Sequence, residues 1–339
     1  MIIVMHSEAT SEEVAKIVER LQSLGADIHV STEGGRTVVN GTTEAKLADE
    51  APWASLPGVE RVIPVLPGGR RVGRHFKAAD TVVEVMGARI GDGSLTVVGG
   101  PCAVESREQM LDTARLVAAA GAKMIRGDAY KPRTSPYAFQ GLGKAGLEIL
   151  AEVREETGLP VVAEVLDPRE VDLVGSYVDV IRIGTRNMSN QALLREVGRQ
   201  SKPVMLKRGW ASTIEEWIDA AEYVHNEGNP AIVMVERGIR GFEDSVRNIL
   251  DISAVPLVKL ATHLPVMVDP SHAAGRRDIV AALARAAVAA GADGVMIDVH
   301  PRPQEALVDG RQALLPNQFE TLVGELEALA SALSADRSD

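Results

Sequence analysis

Eight short apolar runs constrain this 339-residue chain more than any other feature. They are Thr96–Pro101, Ala122–Asp128, Val161–Val165, Val178–Arg186, Pro203–Arg208, Ala231–Arg237, Pro265–His272 and Gly294–His300. Each leads into a polar, charged or thiol residue, and a helix-compatible stretch follows almost every one. Eight strand–helix units in succession predict a closed parallel (β/α)8 barrel of the TIM type, with its active site at the C-terminal ends of the strands. A barrel of about 250 residues leaves room for one smaller unit. Aromatics make up only 3% of the chain against 45% hydrophobic residues, so the barrel interior is expected to be aliphatic.

The smaller unit spans residues 1–65. Ile2–Met5 is a short strand, and Thr10 with Glu13 makes a capping box for a helix. Val14, Ile17, Val18, Leu21 and Leu24 form its apolar stripe, and Gly25 ends it. Asp27–Ser31 and Arg36–Asn40 pair as a hairpin, Thr43–Trp53 is a second helix and Val59–Pro64 a last strand. The order βαββαβ is a ferredoxin-like split unit. Oligomerisation and ligand sensing are both open as its role. Residues 66–80 form a linker whose glycines and basic residues favour a solvated, flexible connection. The barrel domain spans 81–339, and Thr81–Ile90 is a hairpin plugging its floor. Among its helices, Phe242–Leu250 follows the sixth strand, Gly275–Ala290 the seventh, and Pro316 begins the last.

The net charge of −11 makes nucleic acid and anionic membrane poor partners, since both need a basic face. Cys102 is the single cysteine, so no intrachain disulfide forms and a reducing cytoplasm is the natural setting. No apolar run approaches the ~20 residues of a membrane span.

Two constellations gather at the strand ends. Cys102 follows the first barrel strand, His272 ends the seventh, Asp298 lies on the eighth, and Asp309 in the loop beyond it. The first and last strands of a barrel are neighbours, so the four converge. Thiolate, imidazole and carboxylate together suit a divalent transition metal. Singly, Cys102 reads as a small buried hydrophobe and His272 as a hydrogen-bonded polar residue. The second constellation is cationic. Arg126, Lys131 and Arg133, with Thr134 and Ser135, crowd a proline-stiffened segment after the second strand. Arg182 and Arg186 share the inward parity of the fourth strand, Lys207 ends the fifth and Arg237 the sixth. Such a set repels itself unless anions or structural partners such as Asp128, Glu164 and Glu236 relieve it. Two anions and a metal suggest a carbonyl polarised beside an anionic nucleophile.

The motifs Gly99-Gly100-Pro101-Cys102-Ala103-Val104-Glu105-Ser106, Lys131–Pro136, Lys207-Arg208-Gly209, Glu236-Arg237-Gly238, Asp269–His272 and His300-Pro301 resemble those of the 3-deoxy-D-arabino-heptulosonate 7-phosphate (DAHP) synthases. The resemblance covers the whole barrel. The N-terminal unit is similar to the ferredoxin-like regulatory domain of one branch of that family. The resemblance implies a transferase of the shikimate pathway that condenses phosphoenolpyruvate with erythrose 4-phosphate. It implies that Arg126, Lys131, Arg186, Lys207 and Arg237 hold phosphoenolpyruvate, and that Arg133 and Thr134 hold the phosphate of erythrose 4-phosphate. Cys102, His272, Asp298 and Asp309 would bind the metal, manganese first, with iron, cobalt or zinc as alternatives. The resemblance further implies a catalytic set of Cys102, Lys131 and His272, with either Lys131 or a metal-bound water as proton donor to the forming alkoxide. Feedback by tyrosine or phenylalanine and a homotetramer are implied as well. Two departures stand out. The family usually carries Glu where this chain has Asp298, and an uncharged polar residue where it has Arg182. Three other functions remain open: 3-deoxy-D-manno-octulosonate 8-phosphate synthesis, a non-catalytic amino-acid-sensing barrel, and a metal-dependent aldolase that uses the same bowl and releases no phosphate.

Overall fold

A computed structural model describes residues 2–33, 36–42, 51–63 and 70–335. The chain divides into two compact units, Met1–Ala78 and Ala79–Asp339. In the first, β1 (Ile2–Met5), α1 (Ser11–Ser23), β2 (Asp27–Glu33), β3 (Arg36–Thr42), α2 (Ala51–Ala54) and β4 (Val59–Ile63) build an antiparallel sheet of order β2-β3-β1-β4. The Thr10 capping box starts α1, with the Glu13 carboxylate accepting the Thr10 N–H at 2.8 Å. Ile17 and Leu21 then bury the helix against Ile3, Met5 and Val39. Of the helix expected over Thr43–Trp53, residues 43–50 lie outside the described residues, as do Gly34 and Gly35 of the hairpin turn and 64–69 of the linker.

Of the linker residues described, Arg71 and residues 75–80 are exposed. Arg70 and Val72 are buried, and the Gly73 N–H donates to the Arg70 carbonyl at 2.9 Å, closing a turn.

In the second unit, β5 (Val83–Val85) and β6 (Ala88–Ile90) form the hairpin. Eight parallel strands follow: β7 (Thr96–Gly100), β8 (Met124–Arg126), β9 (Val161–Val165), β10 (Val180–Ile183), β11 (Val204–Lys207), β12 (Ile232–Glu236), β13 (Val266–Val268) and β14 (Gly294–Asp298). They close into a barrel because β14 pairs with β7, in a register that sets Asp298 opposite Gly100. Val98, Met124, Val162, Val180, Met205, Val233, Met267 and Met296 fill the interior, and Val83, Val85 and Ile90 of the hairpin pack against them. Each such aliphatic side chain contributes about 1.5–3 kcal/mol when taken from water, and the hairpin removes one open end of that core from solvent.

The outer helices are α3 (Arg107–Ala119), α4 (Lys144–Thr157), α5 (Val171–Tyr177), α6 (Gln191–Gly198), α7 (Ile214–Asn226), α8 (Ala254–Ala261), α9 (Pro270–Ala274), α10 (Val280–Ala289) and α11 (Pro316–Ala335). Three expectations are corrected. Phe242–Leu250 is not helical: the amides of Arg247 and Asn248 donate to the carbonyls of Ala274 and Ala273 rather than along a helix, Phe242 is fully exposed, and the helix after β12 is α8. Gly275–Ala290 is not one helix: Gly275, at φ +67°, terminates α9 in a left-handed cap before α10 begins. Finally, β10 ends at Ile183, so Arg186 sits in a 3-10 turn, Thr185–Asn187, and not on the strand. No helix among the described residues is long and apolar enough to cross a membrane.

Candidate active site

The seam between β7 and β14 builds one half of the site. Gly99 and Gly100 let the chain pass close to its neighbours: a Cβ on Gly99 would lie 2.7 Å from the Phe319 ring, and one on Gly100, at φ +144°, 2.2 Å from the Arg126 carbonyl oxygen. Cys102 emerges just beyond. His272 comes from α9, whose N-cap Asp269 accepts the His272 backbone N–H at 2.9 Å and approaches ring Nδ1 at 2.9 Å. That contact turns Nε2 toward Cys102 Sγ, 3.4 Å away, and toward Asp309 Oδ2 at 3.6 Å. Carboxylate partners of this kind commonly orient metal-binding imidazoles.

Asp309 reaches the cluster from the loop after β14 with a left-handed backbone, φ +55°. Glu105 anchors that loop by accepting the amides of Leu307 (2.9 Å) and Val308 (3.3 Å), and Arg247 donates to Asp309 Oδ1 at 2.8 Å. Cys102 Sγ stands 3.0 Å from Asp309 Oδ2.

One donor atom from each of Cys102, His272, Asp298 and Asp309 falls within 4.8 Å of all the others. A tetrahedral ion with bonds of about 2.0–2.3 Å has ligand–ligand edges of about 3.3–3.8 Å, so the Cys102–His272–Asp309 triangle is close to that size. Asp298 stands apart. Its carboxylate accepts from Arg126 at 2.5 Å and from Gln312 at 2.6 Å, and its approach to His272 is to Nδ1, at 3.7 Å. Burial opposes charge on His272, but Asp269 and Asp298 outweigh it and raise the imidazole to about 10. Burial likewise opposes charge on Asp309, yet His272 and Arg247 hold it well below the carboxylate range.

Beside the cluster lies a cavity of about 470 Å³ lined by bases. They divide into two groups. In the first, each base already has a carboxylate. Buried Asp128 accepts from Lys131 (2.7 Å), Arg182 (2.5 Å) and Arg126 (3.4 Å), and its other oxygen takes the Glu164 amide at 3.1 Å. Three cations hold Asp128 ionised far below its ordinary range despite burial. Lys207 donates to Asp269, and burial still pulls its ammonium down to about 8. In the second group are Arg133, Arg186, Arg237 and Arg240, none of which forms an ion pair among the described residues. Arg237 is the costliest of these: it is 5% exposed, its Nη1 has no hydrogen-bond partner, and burial lowers it to about 10.

Of the site residues expected from sequence, Lys131, Arg133, Thr134, Arg186, Lys207, Arg237, His272 and Asp309 line the cavity. Arg126 does not; it is fully buried, engaged by Asp298 and Asp128. Cys102 and Asp298 are buried outside the lining set. Sequence reasoning missed Trp210, Arg240, Arg247 and Gln312. The two arginines lie in the irregular stretch after β12, where no periodicity marks an inward side. Gln312 follows the last strand and carries no charge to notice.

A closed parallel barrel with a cysteine–histidine–carboxylate cluster beside a cationic rim cavity defines an enzyme that handles small polyanions. Residues 77–335 match the DAHP synthetase I family and residues 1–67 the DAHP synthase ferredoxin-like domain. The chain belongs to the DAHP synthetase I family, in the branch with a ferredoxin-like domain. It is 46% identical over 335 residues to the phospho-2-dehydro-3-deoxyheptonate aldolase of Thermotoga maritima, covering 98% of each chain. It is 33% identical over 262 residues to the 2-dehydro-3-deoxyphosphooctonate aldolase of Syntrophobacter fumaroxidans, covering 72% of this chain and 90% of the relative. The crystal structure of the Thermotoga DAHP synthase superposes with a TM-score of 0.78 at 45% identity, over 98% of this chain and 97% of that one. A truncated form of the same enzyme gives 0.73 at 46% identity, over 77% of this chain and 96% of that one.

Proposed function

We propose that this enzyme is a 3-deoxy-7-phosphoheptulonate synthase, joining phosphoenolpyruvate to erythrose 4-phosphate to give DAHP and inorganic phosphate. The observation that carries the reading is the group of guanidiniums without carboxylate partners beside a metal-sized donor cluster. Two phosphates and a carboxylate supply the charge that those guanidiniums lack. Arg186, Lys207 and Arg237 take the phosphoenolpyruvate phosphate, Lys131 its carboxylate, and Arg133 with Thr134 the phosphate of the aldose. Arg126 acts from beneath, by fixing Asp298 and sharing Asp128 with Lys131.

A divalent metal held by Cys102, His272, Asp309 and Asp298, manganese first and iron, cobalt or zinc as alternatives, would polarise the aldehyde of erythrose 4-phosphate. C3 of phosphoenolpyruvate attacks that carbon, and the aldehyde oxygen becomes a hydroxyl by taking a proton from the Lys131 ammonium. Lys131 is suited to this because Asp128 and Cys102 overcome burial and keep it charged well above neutral pH. Water adds at C2 and gives a proton back to the Lys131 amine, and the resulting hemiketal phosphate collapses to the ketone as its hydroxyl proton leaves with inorganic phosphate. The bases hold both esters in reach of each other, which supplies much of the rate by orientation.

We also propose that the N-terminal unit receives tyrosine or phenylalanine as feedback inhibitor, that the enzyme is a homotetramer, and that it works in the reducing cytoplasm, where Cys102 stays a thiol. The deciding experiment measures phosphate release from phosphoenolpyruvate with erythrose 4-phosphate, with arabinose 5-phosphate, or with neither. Release only with the four-carbon sugar is expected. Preference for arabinose 5-phosphate would make the chain an octulosonate synthase, and no release with either would leave a non-catalytic barrel or an aldolase that expels no phosphate.

A further inference from the structure

Trp210 follows β11 and lines the cavity. Two guanidiniums lie over its ring: Arg186 at 5.0 Å and Arg240 at 4.8 Å from the centroid. Two positive charges are thus held within about 10 Å of each other, and neither forms an ion pair among the described residues. Like charges at that spacing repel. Both side chains are exposed and could have turned away into water. The Arg240 N–H donates to the Trp210 carbonyl at 2.8 Å, which joins the loop after β12 to the loop after β11 and brings Arg240 beside the indole. Arg247, close by in sequence, takes the other course and pairs with Asp309.

A guanidinium stacked on a ring spends its face on the aromatic and leaves its in-plane N–H edge free. Those edges are the part that recognises phosphate. Arg186 already uses one of them, donating to Thr134 Oγ1 at 3.2 Å.

We propose that Arg240 is a further phosphate-binding residue of this site, and that Trp210 is the positioning residue that sets Arg240 and Arg186 as two arms of one grip on a phosphomonoester. The phosphate is the one Arg186 takes, that of phosphoenolpyruvate, so the inference rests on the reading of the cavity given above. It adds a contact from the loop after β12.

The test uses the full-length, metal-loaded enzyme. Arg240→Met is expected to raise KM for phosphoenolpyruvate about tenfold or more, with kcat changed by less than about threefold, the pattern of lost ground-state binding. Trp210→Ala should reproduce that rise, and Trp210→Phe, which keeps an aromatic face, should restore most of the affinity. Fluorescence supplies a readout that a merely structural role would not move. The chain has three tryptophans, and phosphoenolpyruvate or inorganic phosphate should change the emission of the native enzyme but not that of Trp210→Phe. A KM for phosphoenolpyruvate within about twofold of native in Arg240→Met overturns the proposal, as does an emission change that survives in Trp210→Phe, or a rise confined to the aldose phosphate. Phosphate release by the native enzyme is measured alongside. Its absence there defeats the functional reading, whereas its presence with an unaltered Arg240→Met defeats this inference alone.

Discussion

Asp298 is one methylene shorter than the Glu its family usually carries, and the surroundings show how the chain accommodates it. Both oxygens are engaged, by Arg126 and Gln312, and the Asp298 amide donates to Ser271 Oγ at 3.0 Å. As a ligand, Asp298 would be the most weakly committed of the four. Asp298→Ala should lower metal affinity by at least ~10-fold and destabilise the fold by about 3 kcal/mol, because Arg126 loses its main counter-charge in a dry site. Metal titration and urea unfolding check the two effects, and a titration indistinguishable from that of the native chain would remove Asp298 from the ligand set. Lys207 gives a pH test. Its proton is lost near pH 8 in the free enzyme, against an ordinary value of 10.5. Anion binding needs the charged form, so KM for phosphoenolpyruvate should climb as pH passes 8 while Lys207→Arg shifts the climb upward. The stability sign is the opposite: the native state binds fewer protons than the unfolded chain between about 8 and 10.5, so this group stabilises the fold as pH rises across that window. Residue identities at the strand ends were legible from sequence because charged residues after apolar runs are conspicuous. Their pairing was not, because Asp128, in sequence merely a candidate partner, is in space the shared counter-ion of Arg126, Lys131 and Arg182.

At the scale of elements, local chemistry wrote itself plainly where it is short-range. Capping boxes at Thr10 and Thr213 start α1 and α7, Pro316 opens α11, and Thr213→Ala should cost about 1 kcal/mol in thermal or chemical unfolding. Phe242–Leu250 misled for the complementary reason. The Arg247 and Asn248 amides are satisfied by α9 and the Ile249 amide by the Ile239 carbonyl, all outside the segment, so no local rule describes it. The loop after β14 is of the same kind. Glu105 holds it from one side, and the Arg277 guanidinium donates to the carbonyls of Gly310 (3.1 Å) and Ala313 from another. Gln312 joins it to the donor cluster through Asp298. Gln312→Leu, which keeps volume and removes the contact to Asp298, should weaken metal binding roughly 10-fold or more while leaving the melting temperature nearly unchanged. An unaltered affinity would show that this contact does not tune the site.

For the whole molecule, a chain of net charge −11 gathers eight of its 36 Lys and Arg residues around one cavity, so the electrostatics relevant to substrates are local and opposite in sign to the total. Removing residues 1–78, the first compact unit, should leave condensation activity in the barrel and abolish inhibition by tyrosine or phenylalanine. Inhibition that survives the deletion would place the effector elsewhere. The sequence alone determined the barrel, because eight apolar runs alternating with helical stretches have few other ways to bury themselves. It also determined the metal-ligand candidates and most of the cationic rim, since these sit at strand ends whose positions follow from that alternation. Only the tertiary structure decided which bases are already neutralised by carboxylates and which still want an anion, that Arg126 lies beneath the cavity, and that Trp210 gathers Arg186 and Arg240. Those facts depend on distances between residues far apart in the chain, and such distances are set by barrel closure and loop packing rather than by any local pattern.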